Sequence, residues 1–276
     1  RRFTNDAIKR ARGFLEARAG DLDSVTSTGL VIGDNFAQLL ILEATNRRSL
    51  VNFVDQPRKW NFFRGKPILA PEDFPADFDT TSIAMTVLER DDDLANSVMD
   101  DMLQYRDQNG VLLTYFDHSR PRQDPVVCIN ALSFFYSRNR GSDLKQTLCW
   151  VHDILLHRSY ANGTRYYETA ECFLYFLSRL LVTARDEDTR ALLEPPLKER
   201  LKERIGAPGD ATALSMRIMA CANVGLQDRV DAERLLLLQS DDGGWDLGWI
   251  YKYGSTGIKL GNRGLTTALA INAIQA

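Results

Sequence analysis

Six apolar segments recur along the chain, and each follows a polar or Gly/Pro-rich loop that ends in a charged residue. These junctions are Asp34, Asp79, Asp124, Glu168, Asp210 and Arg263, spaced 42 to 53 residues apart. A recurrence at this period is typical of a repeated helical unit. Asp is a good helix N-cap because its carboxylate accepts a hydrogen bond from a free amide of the first turn, and Pro125 suits a first helical position. Each junction therefore predicts the start of a mostly apolar inner helix.

More polar, amphipathic segments lie between the junctions and predict an outer layer of helices. They cover residues 6–18, 91–106, 143–157, 186–205 with a break at Pro195-Pro196, and 228–239. No alternating run is long enough to build a sheet. The pattern predicts an all-α protein, an (α/α)6 barrel of six inner and six outer helices, formed as a single domain by residues 1–276. All inner helices of such a barrel point the same way, so their starts gather at one mouth, where we expect the chemistry.

Composition excludes several classes of function. The net charge of −3 and the absence of a basic run argue against nucleic acid as a partner, and no apolar run approaches the roughly 20 residues that span a bilayer. The four cysteines are far apart, without metal-ligand spacing, which predicts reduced core residues in a cytoplasmic protein and no zinc site. The start at Arg1 has neither an initiator Met nor an apolar signal, which suggests a piece excised from a longer fusion protein.

Two carboxylates, Asp77 and Asp79, stand one residue apart at the second junction and allow three interpretations. They could be a helix cap with a charged neighbour. They also satisfy the DxDx(T/V) nucleophile motif of haloacid-dehalogenase phosphatases, although that motif follows a buried strand and a Pro-containing segment precedes Asp77 here. The third interpretation is a general acid, with one carboxyl donating a proton and the other organising it.

A general acid that protonates an unactivated alkene must stay protonated in a dry cavity. Burial and the neighbouring Asp77 would raise the pKa of Asp79, while the helix N-terminus would favour the anion left after transfer. The hydroxyls of Thr80 and Thr81 could orient the acid without adding charge. The segment therefore offers Asp77, Asp79, Thr80 and Thr81 as candidate catalytic residues.

These residues carry a resemblance to a known family. Asp77-Phe78-Asp79-Thr80-Thr81 resembles the DxDTT variant of the DxDD motif of class II terpene cyclases. The segment Gln239-Ser240-Asp241-Asp242-Gly243-Gly244-Trp245 resembles the second half of the QW motif of squalene-hopene cyclases. Residues 110–127, 163–167 and 261–269 resemble the cyclase part of drimane-type sesquiterpene synthases, so that the similarity covers nearly the whole chain.

The resemblance implies a cyclase that protonates the terminal alkene of a linear prenyl diphosphate, farnesyl diphosphate in the first instance. It would close a bicyclic drimane skeleton while retaining the diphosphate. Asp79 would be the proton donor and Asp77 its partner. Relatives are often fused to a haloacid-dehalogenase phosphatase domain, which is the partner that the family implies. The substrate would have 15 or 20 carbons.

The mouth loops carry cations and aromatic rings that suit such a substrate. Arg120, Arg122, Lys259 and Arg263 could converge on a diphosphate, with Mg²⁺ as a candidate bridging ion and no organic cofactor; the alternative is ordinary surface cations. Aromatic faces stabilise carbocations. The preferred cavity-lining aromatics are Phe116, Tyr167, Trp245 and Trp249.

Two further features bear on alternatives to this function. The run Asp91-Asp92-Asp93 lacks the last acid of a class I DDxxD motif and is interpreted as a solvated cap of an outer helix. A non-catalytic helical-repeat scaffold is the other alternative, and it predicts an open array rather than a closed ring.

Overall fold

The computed structural model describes residues 2–276 and is mostly helical. Its eleven α-helices, within those residues, are α1 (Arg2–Ala17), α2 (Asn35–Thr45), α3 (Phe78–Val87), α4 (Asp92–Met102), α5 (Pro125–Ser137), α6 (Lys145–His157), α7 (Ala170–Thr183), α8 (Glu187–Arg204), α9 (Ala211–Asn223), α10 (Arg229–Leu237) and α11 (Arg263–Gln275). Each of the six predicted inner segments and each of the five predicted outer segments forms one of these helices.

Six helices form a closed ring. In order around it, α2, α3, α5, α7, α9 and α11 each pack against the next, and α11 packs back against α2. These helices are apolar on nearly all sides, as in α5, where every residue from Val126 to Phe135 is buried. A helix that is hydrophobic all round must be covered all round. Helices α1, α6, α8 and α10 supply part of that cover, since each packs on one or two ring helices.

The prediction of an exclusively helical protein is wrong, because a small antiparallel sheet lies at one end of the ring. Its strands are β1 (Ser24–Thr26), β2 (Val31–Ile32), β3 (Trp249–Lys252) and β4 (Lys259–Gly261), in the order β2-β1-β4-β3. Val25 pairs with Gly261. The strands have two to four residues, too few for an alternating pattern to stand out in the sequence.

The expected sixth outer helix is absent from the described residues. Between α2 and α3 the chain forms one short 3-10 turn, Arg48–Leu50, and is otherwise irregular. Prolines recur there at positions 57, 67, 71 and 75. Because proline removes a backbone donor and clashes with the preceding turn, this spacing leaves no room for a regular helix.

The predicted helix starts agree with the structure at three junctions and are one or two residues off at the others. Asp34, Asp124 and Asp210 cap α2, α5 and α9 with their side chains. At the other junctions the capping residues are Asp77 rather than Asp79, Thr169 rather than Glu168 and Asn262 rather than Arg263. The shift at α3 matters for function, because it places Asp79 inside the first turn.

Two smaller expectations are also corrected. Helix α8 runs without a break through Pro195 and Pro196; the two carbonyls that lose their amide partners belong to exposed residues, where water can satisfy them. Cys149 is exposed, whereas Cys128, Cys172 and Cys221 are buried, and all four are free thiols. No helix in residues 2–276 has the length and apolar character needed to cross a bilayer.

Candidate active site

Asp79 lies in the first turn of α3 and is half-buried at the wall of a cavity. Asn130 Nδ2, on α5, donates a hydrogen bond of 2.6 Å to Asp79 Oδ1, and the Tyr167 hydroxyl donates one to Asp79 Oδ2. The pKa of Asp79 is raised to about 8, above all because burial disfavours the carboxylate. The Asn130 bond opposes this rise, and the charge of Asp77 adds to it. Asp79 is therefore a carboxyl group that holds its proton at neutral pH.

Asp77 caps α3. Its Oδ1 accepts a hydrogen bond of 2.6 Å from the Thr80 amide, and its Oδ2 accepts one of 3.0 Å from the Thr80 hydroxyl. Burial raises the pKa of Asp77 to about 7, and both Thr80 bonds oppose the rise. The cap fixes the first turn of α3, so Asp77 positions Asp79 through the backbone.

The two threonines do not orient Asp79 as expected. Thr80 donates to Asp77, and Thr81 Oγ1 accepts a hydrogen bond of 2.8 Å from the Trp60 amide. These contacts anchor the irregular segment before α3 and its first turn. The groups that do bind Asp79 come from other elements, α5 and the loop before α7.

Tyr167 reaches Asp79 because the loop before α7 is held at both ends. The Asp124 carboxylate accepts a hydrogen bond of 2.9 Å from the Tyr166 amide, and the Glu168 amide donates to Ile250 O at 3.0 Å. Gly163 turns this loop with a φ of +84°, and a Cβ there would lie 2.6 Å from the Tyr167 carbonyl oxygen. Glycine is therefore required at that position.

The cavity beside Asp79 has a volume of about 240 Å³ and walls rich in aromatic residues. The aromatic residues that line it are Phe36, Phe62, Phe63, Phe74, Tyr115, Tyr166, Tyr167, Tyr251 and Tyr253. Many of these rings meet edge to face, as do Phe36 and Tyr251 with centroids 5.4 Å apart. Such walls present π-faces that attract positive charge without offering a strong nucleophile.

A second buried acid lies behind this wall. Asp34 accepts hydrogen bonds from Ser24 Oγ at 2.5 Å and from the Tyr251 hydroxyl at 3.1 Å. Burial raises its pKa to about 6, and the Ser24 bond opposes the rise. Tyr251, which lines the cavity, thus has its hydroxyl engaged by Asp34.

Of the four aromatic residues preferred from the sequence, the structure places Tyr167 in the cavity wall and the other three elsewhere. Trp245 is fully buried, and its Nε1 donates to Leu235 O at 2.8 Å. Phe116 packs on Phe78 with ring centroids 4.5 Å apart. Trp249 does not line the cavity either. The sequence pattern shows aromatic residues in these loops, but it does not show which of them line the cavity.

The four predicted cations separate into two pairs. Arg120 and Arg122 line the cavity. Lys259 is paired with Glu168 at 2.7 Å, and Arg263 forms two hydrogen bonds of 2.9 Å with Asp242. The anion that offsets Arg263 at a helix N-terminus is thus a carboxylate of the protein. Neither Lys259 nor Arg263 lines the cavity with the two arginines.

Sequence reasoning missed Asn130, Arg165 and Lys252. The last two line the cavity together with Arg120 and Arg122. Asn130 had a recognisable signal, because it is a lone amide within the apolar run of α5, and a buried amide requires a partner. Arg165 had no comparable signal, because it lies in a polar loop, and Lys252 stands between Tyr251 and Tyr253.

Two other expectations concern acidic groups. Asp91 caps α4, with Oδ1 accepting from the Leu94 amide at 2.8 Å, which confirms the interpretation of that acidic run as a cap. No strand leads directly into Asp77, which forms only an isolated bridge with Tyr115, so the structural context of a phosphatase nucleophile is missing. In residues 2–276, no group of three or more His, Cys, Asp or Glu side chains is arranged to hold a metal ion.

The fold is similar to that of solved type II terpene cyclases. Residues 8–138 match the family model of the sesquiterpene cyclase astC-like C-terminal domain. The solved structure of the type II terpene cyclase MstE from Scytonema is similar over 99% of this chain and 97% of that chain, with a TM-score of 0.68 at 14% identity. A variant of MstE in complex with geranylgeranyl dihydroxybenzoate has a TM-score of 0.65 at 12% identity, over 99% of this chain and 96% of that one.

A curated relative is far more similar in sequence. Drimenol cyclase drtB from Aspergillus calidoustus is 46% identical over 277 residues, covering 99% of this chain and 52% of that protein. The chain therefore spans about half the length of this relative. The resemblance to drimane-type sesquiterpene synthases is confirmed as a similarity to this relative.

Proposed function

We propose that this chain is a class II, protonation-initiated terpene cyclase domain. It would act on a linear prenyl diphosphate, farnesyl diphosphate in the first instance, and form a bicyclic drimane-type diphosphate with the diphosphate retained. The observation that carries the proposal is Asp79, a carboxyl group with a pKa of about 8 at the wall of an aromatic cavity. The similarity to drimenol cyclase drtB supports the drimane product.

The first step transfers the Asp79 proton to the terminal alkene of the folded chain. As the O–H bond breaks, negative charge develops on the Asp79 carboxylate, where Asn130 and Tyr167 already donate hydrogen bonds. Donors aimed at a group that gains charge in the transition state lower the barrier without costly reorganisation. The first-turn position in α3 adds the favourable field of a helix N-terminus.

Carbocations would then form along the aromatic wall. Phe36 and Phe62, whose rings both pack on Tyr251, line the cavity near the acid. The face of an aromatic side chain stabilises a cation by about 0.5 to 2 kcal/mol. Several aromatic side chains can therefore stabilise the positive charge one after another as it moves along the substrate during cyclisation.

The diphosphate would lie against Arg120, Arg122, Arg165 and Lys252, which line the cavity. Arg120 is held over the rings of Phe74 and Tyr115, 5.5 and 5.8 Å from their centroids. Guanidinium groups bind phosphate oxygens in pairs, so three arginines and a lysine suit two phosphate groups. Mg²⁺ is the candidate ion for this site and would neutralise part of the diphosphate charge beside these cations.

We also propose a domain architecture and a partner for this chain. The six-helix ring with its outer helices would form one (α/α)6-type barrel domain over residues 1–276. A fused or separate haloacid-dehalogenase phosphatase would remove the retained diphosphate. The position of Asp77 as a helix cap after an irregular segment gives no support to phosphatase activity in this chain itself.

The test is incubation of the chain with farnesyl and geranylgeranyl diphosphates, followed by phosphatase treatment and product identification. We expect a bicyclic alcohol from one of them, and none from Asp79→Asn. Asp93→Asn is the matched control, because Asp93 has the same position in α4 as Asp79 has in α3 but is exposed. Cyclisation by Asp79→Asn at the wild-type rate would refute the assignment.

A further inference from the structure

Leu69 has a left-handed backbone conformation with a φ of +57°. Of the twelve described residues with a positive φ, eight are glycine, two are asparagine and one is Arg158, which ends α6. The left-handed region brings a Cβ too close to the following carbonyl oxygen, so a large apolar residue there is an outlier. Residues held in strained conformations are concentrated at functional sites. Leu69 is therefore a candidate functional residue.

The neighbouring residues impose the turn at Leu69. Pro67 and Pro71 lie two residues to either side of it. Proline fixes its own φ and drives the residue before it toward extended backbone, so Ile68 and Leu69 are left to make the turn. The Ile68 carbonyl oxygen accepts a hydrogen bond of 2.7 Å from the Tyr253 hydroxyl, which holds the turn against the segment that follows β3. The strained conformation is thus built into this segment.

The turn places Leu69 at the rim of the cavity beside Asp79, since Leu69 lines that cavity and is also 47% exposed. Tyr253, which holds the turn through Ile68, lines the cavity as well. It directly follows Lys252, one of the cations proposed to bind the diphosphate. Leu69 therefore lies between solvent and the diphosphate end of the cavity.

The proposed reaction leaves its last carbocation close to the diphosphate. In farnesyl diphosphate the double bond nearest the diphosphate joins the second and third carbons. Closure of the second ring therefore leaves the positive charge on the third carbon, two bonds from the carbon that bears the diphosphate. A substrate whose diphosphate lies against Lys252 presents this cation near the rim at Leu69, where water can enter.

We propose that Leu69 is a specificity-determining residue that keeps water from this carbocation, so that the reaction ends by loss of a proton. The inference rests on the proposed function. In the alkene-forming step a C–H bond breaks, its electron pair forms the C=C bond and the proton passes to solvent. If water reaches the cation, an oxygen lone pair forms a C–O bond and the proton leaves from water instead, which gives a tertiary alcohol. Each ending releases one proton, so the access of water decides between them.

The test is product analysis after incubation with farnesyl diphosphate in ¹⁸O-labelled water and treatment with phosphatase. Leu69→Ala removes most of the side chain and should form a bicyclic diol that carries one ¹⁸O atom. The wild type and Leu69→Met, which keeps the bulk, should form the unlabelled alkene alcohol. Leu30→Ala is the matched control, because Leu30 is 43% exposed but does not line the cavity. No labelled diol from Leu69→Ala, or as much of it from Leu69→Met or Leu30→Ala, would overturn the proposal.

A second readout, thermal unfolding, is independent of catalysis. Glycine is usually less stabilising than alanine because it has more freedom in the unfolded chain, but at a positive φ the order reverses. Leu69→Gly should therefore melt about 2 to 4 °C above Leu69→Ala while forming the same labelled diol. The reverse order of melting temperatures would show an unstrained backbone and overturn the proposal, with the cyclase assignment intact. A wild type that forms no cyclic product would instead refute the proposed function, whatever the melting temperatures.

Discussion

Asn130 and Asp79 are 51 residues apart in sequence and are joined by a 2.6 Å hydrogen bond between two adjacent helices of the ring. The bond lowers the pKa of Asp79 against the larger effect of burial. It therefore makes the acid stronger while the surroundings keep it protonated. This balance gives the first prediction.

Asn130→Leu removes the donor and should raise the pKa of Asp79 further. We expect kcat for cyclisation to fall about 100-fold, the usual cost of losing one donor to a developing anion, with little change in KM. Asn272→Leu is the control, because Asn272 also lies on a ring helix but donates to Ala44 O at 3.0 Å. An unchanged kcat in Asn130→Leu would remove Asn130 from the mechanism.

The free energy of unfolding of Asp79→Asn should increase relative to that of the wild type as the pH rises. The pKa of Asp79 is about 8 in the folded state against 3.8 for an ordinary Asp, so the folded state keeps a proton that the unfolded state has lost between these values. The free energy of unfolding of the wild type therefore falls as pH rises from about 4 to 8. Relative to wild type, we expect the variant to gain at least about 1.4 kcal/mol over this range, which corresponds to one pKa unit.

Urea unfolding at pH 4, 6 and 8 measures this difference. Asp93→Asn should give a curve parallel to that of the wild type, because Asp93 is exposed. A stability difference between wild type and Asp79→Asn that does not change with pH would show that Asp79 is not held protonated.

Substitution of a cation should raise KM for the prenyl diphosphate only where that cation lines the cavity. Arg120→Ala and Arg165→Ala are expected to raise KM for the prenyl diphosphate about 10-fold or more, since a charge-assisted hydrogen bond is worth about 1.5 to 3 kcal/mol. Arg263→Ala should leave KM unchanged, because Arg263 is engaged by Asp242. Steady-state kinetics measures these KM values. A larger rise in KM for Arg263→Ala than for Arg120→Ala and Arg165→Ala would instead place the diphosphate beside Arg263.

Trp245→Ala should affect stability rather than the product. Trp245 is fully buried, donates to Leu235 O at 2.8 Å and pairs with Gln239 in an isolated bridge. The loss of a buried tryptophan costs about 3 to 5 kcal/mol. Denaturant unfolding should show this loss, while the surviving folded enzyme makes the same product. An altered product would place Trp245 at the cavity after all.

The ring was predictable from the sequence because its cause is local and repeated. Asp34, Asp124 and Asp210 are N-caps followed by long apolar runs, and each signal is complete within about a dozen residues. The sheet was not predictable, because its strands are too short to carry a pattern and Val25 pairs with Gly261 across the whole chain. The sequence therefore predicted the elements that depend on local signals and missed those that depend on contacts between residues distant in sequence.

The same distinction applies to the site. Asp77 and Asp79 belong to one contiguous motif, so the sequence could identify the acid. Asn130 and Tyr167 join Asp79 only through the packing of the ring, from positions 51 and 88 residues away. Which rings face inward, and which arginines meet the protein's own carboxylates, depends on side-chain direction that periodicity does not encode.

The pairing of β1 with β4 has a consequence for how the protein is made. The strand near the start of the chain must wait for residues 260 and 261 before it gains its partner, and α2 must wait for α11. Until then, a growing chain carries an open arc of apolar helices with an uncovered flank. Contacts this distant in sequence slow folding and prolong exposure of apolar surface. The cavity beside Asp79 is thus among the last features to form on the ribosome, and a chain cut short before α11 would be a substrate for chaperones and proteases rather than a protein with part of the site.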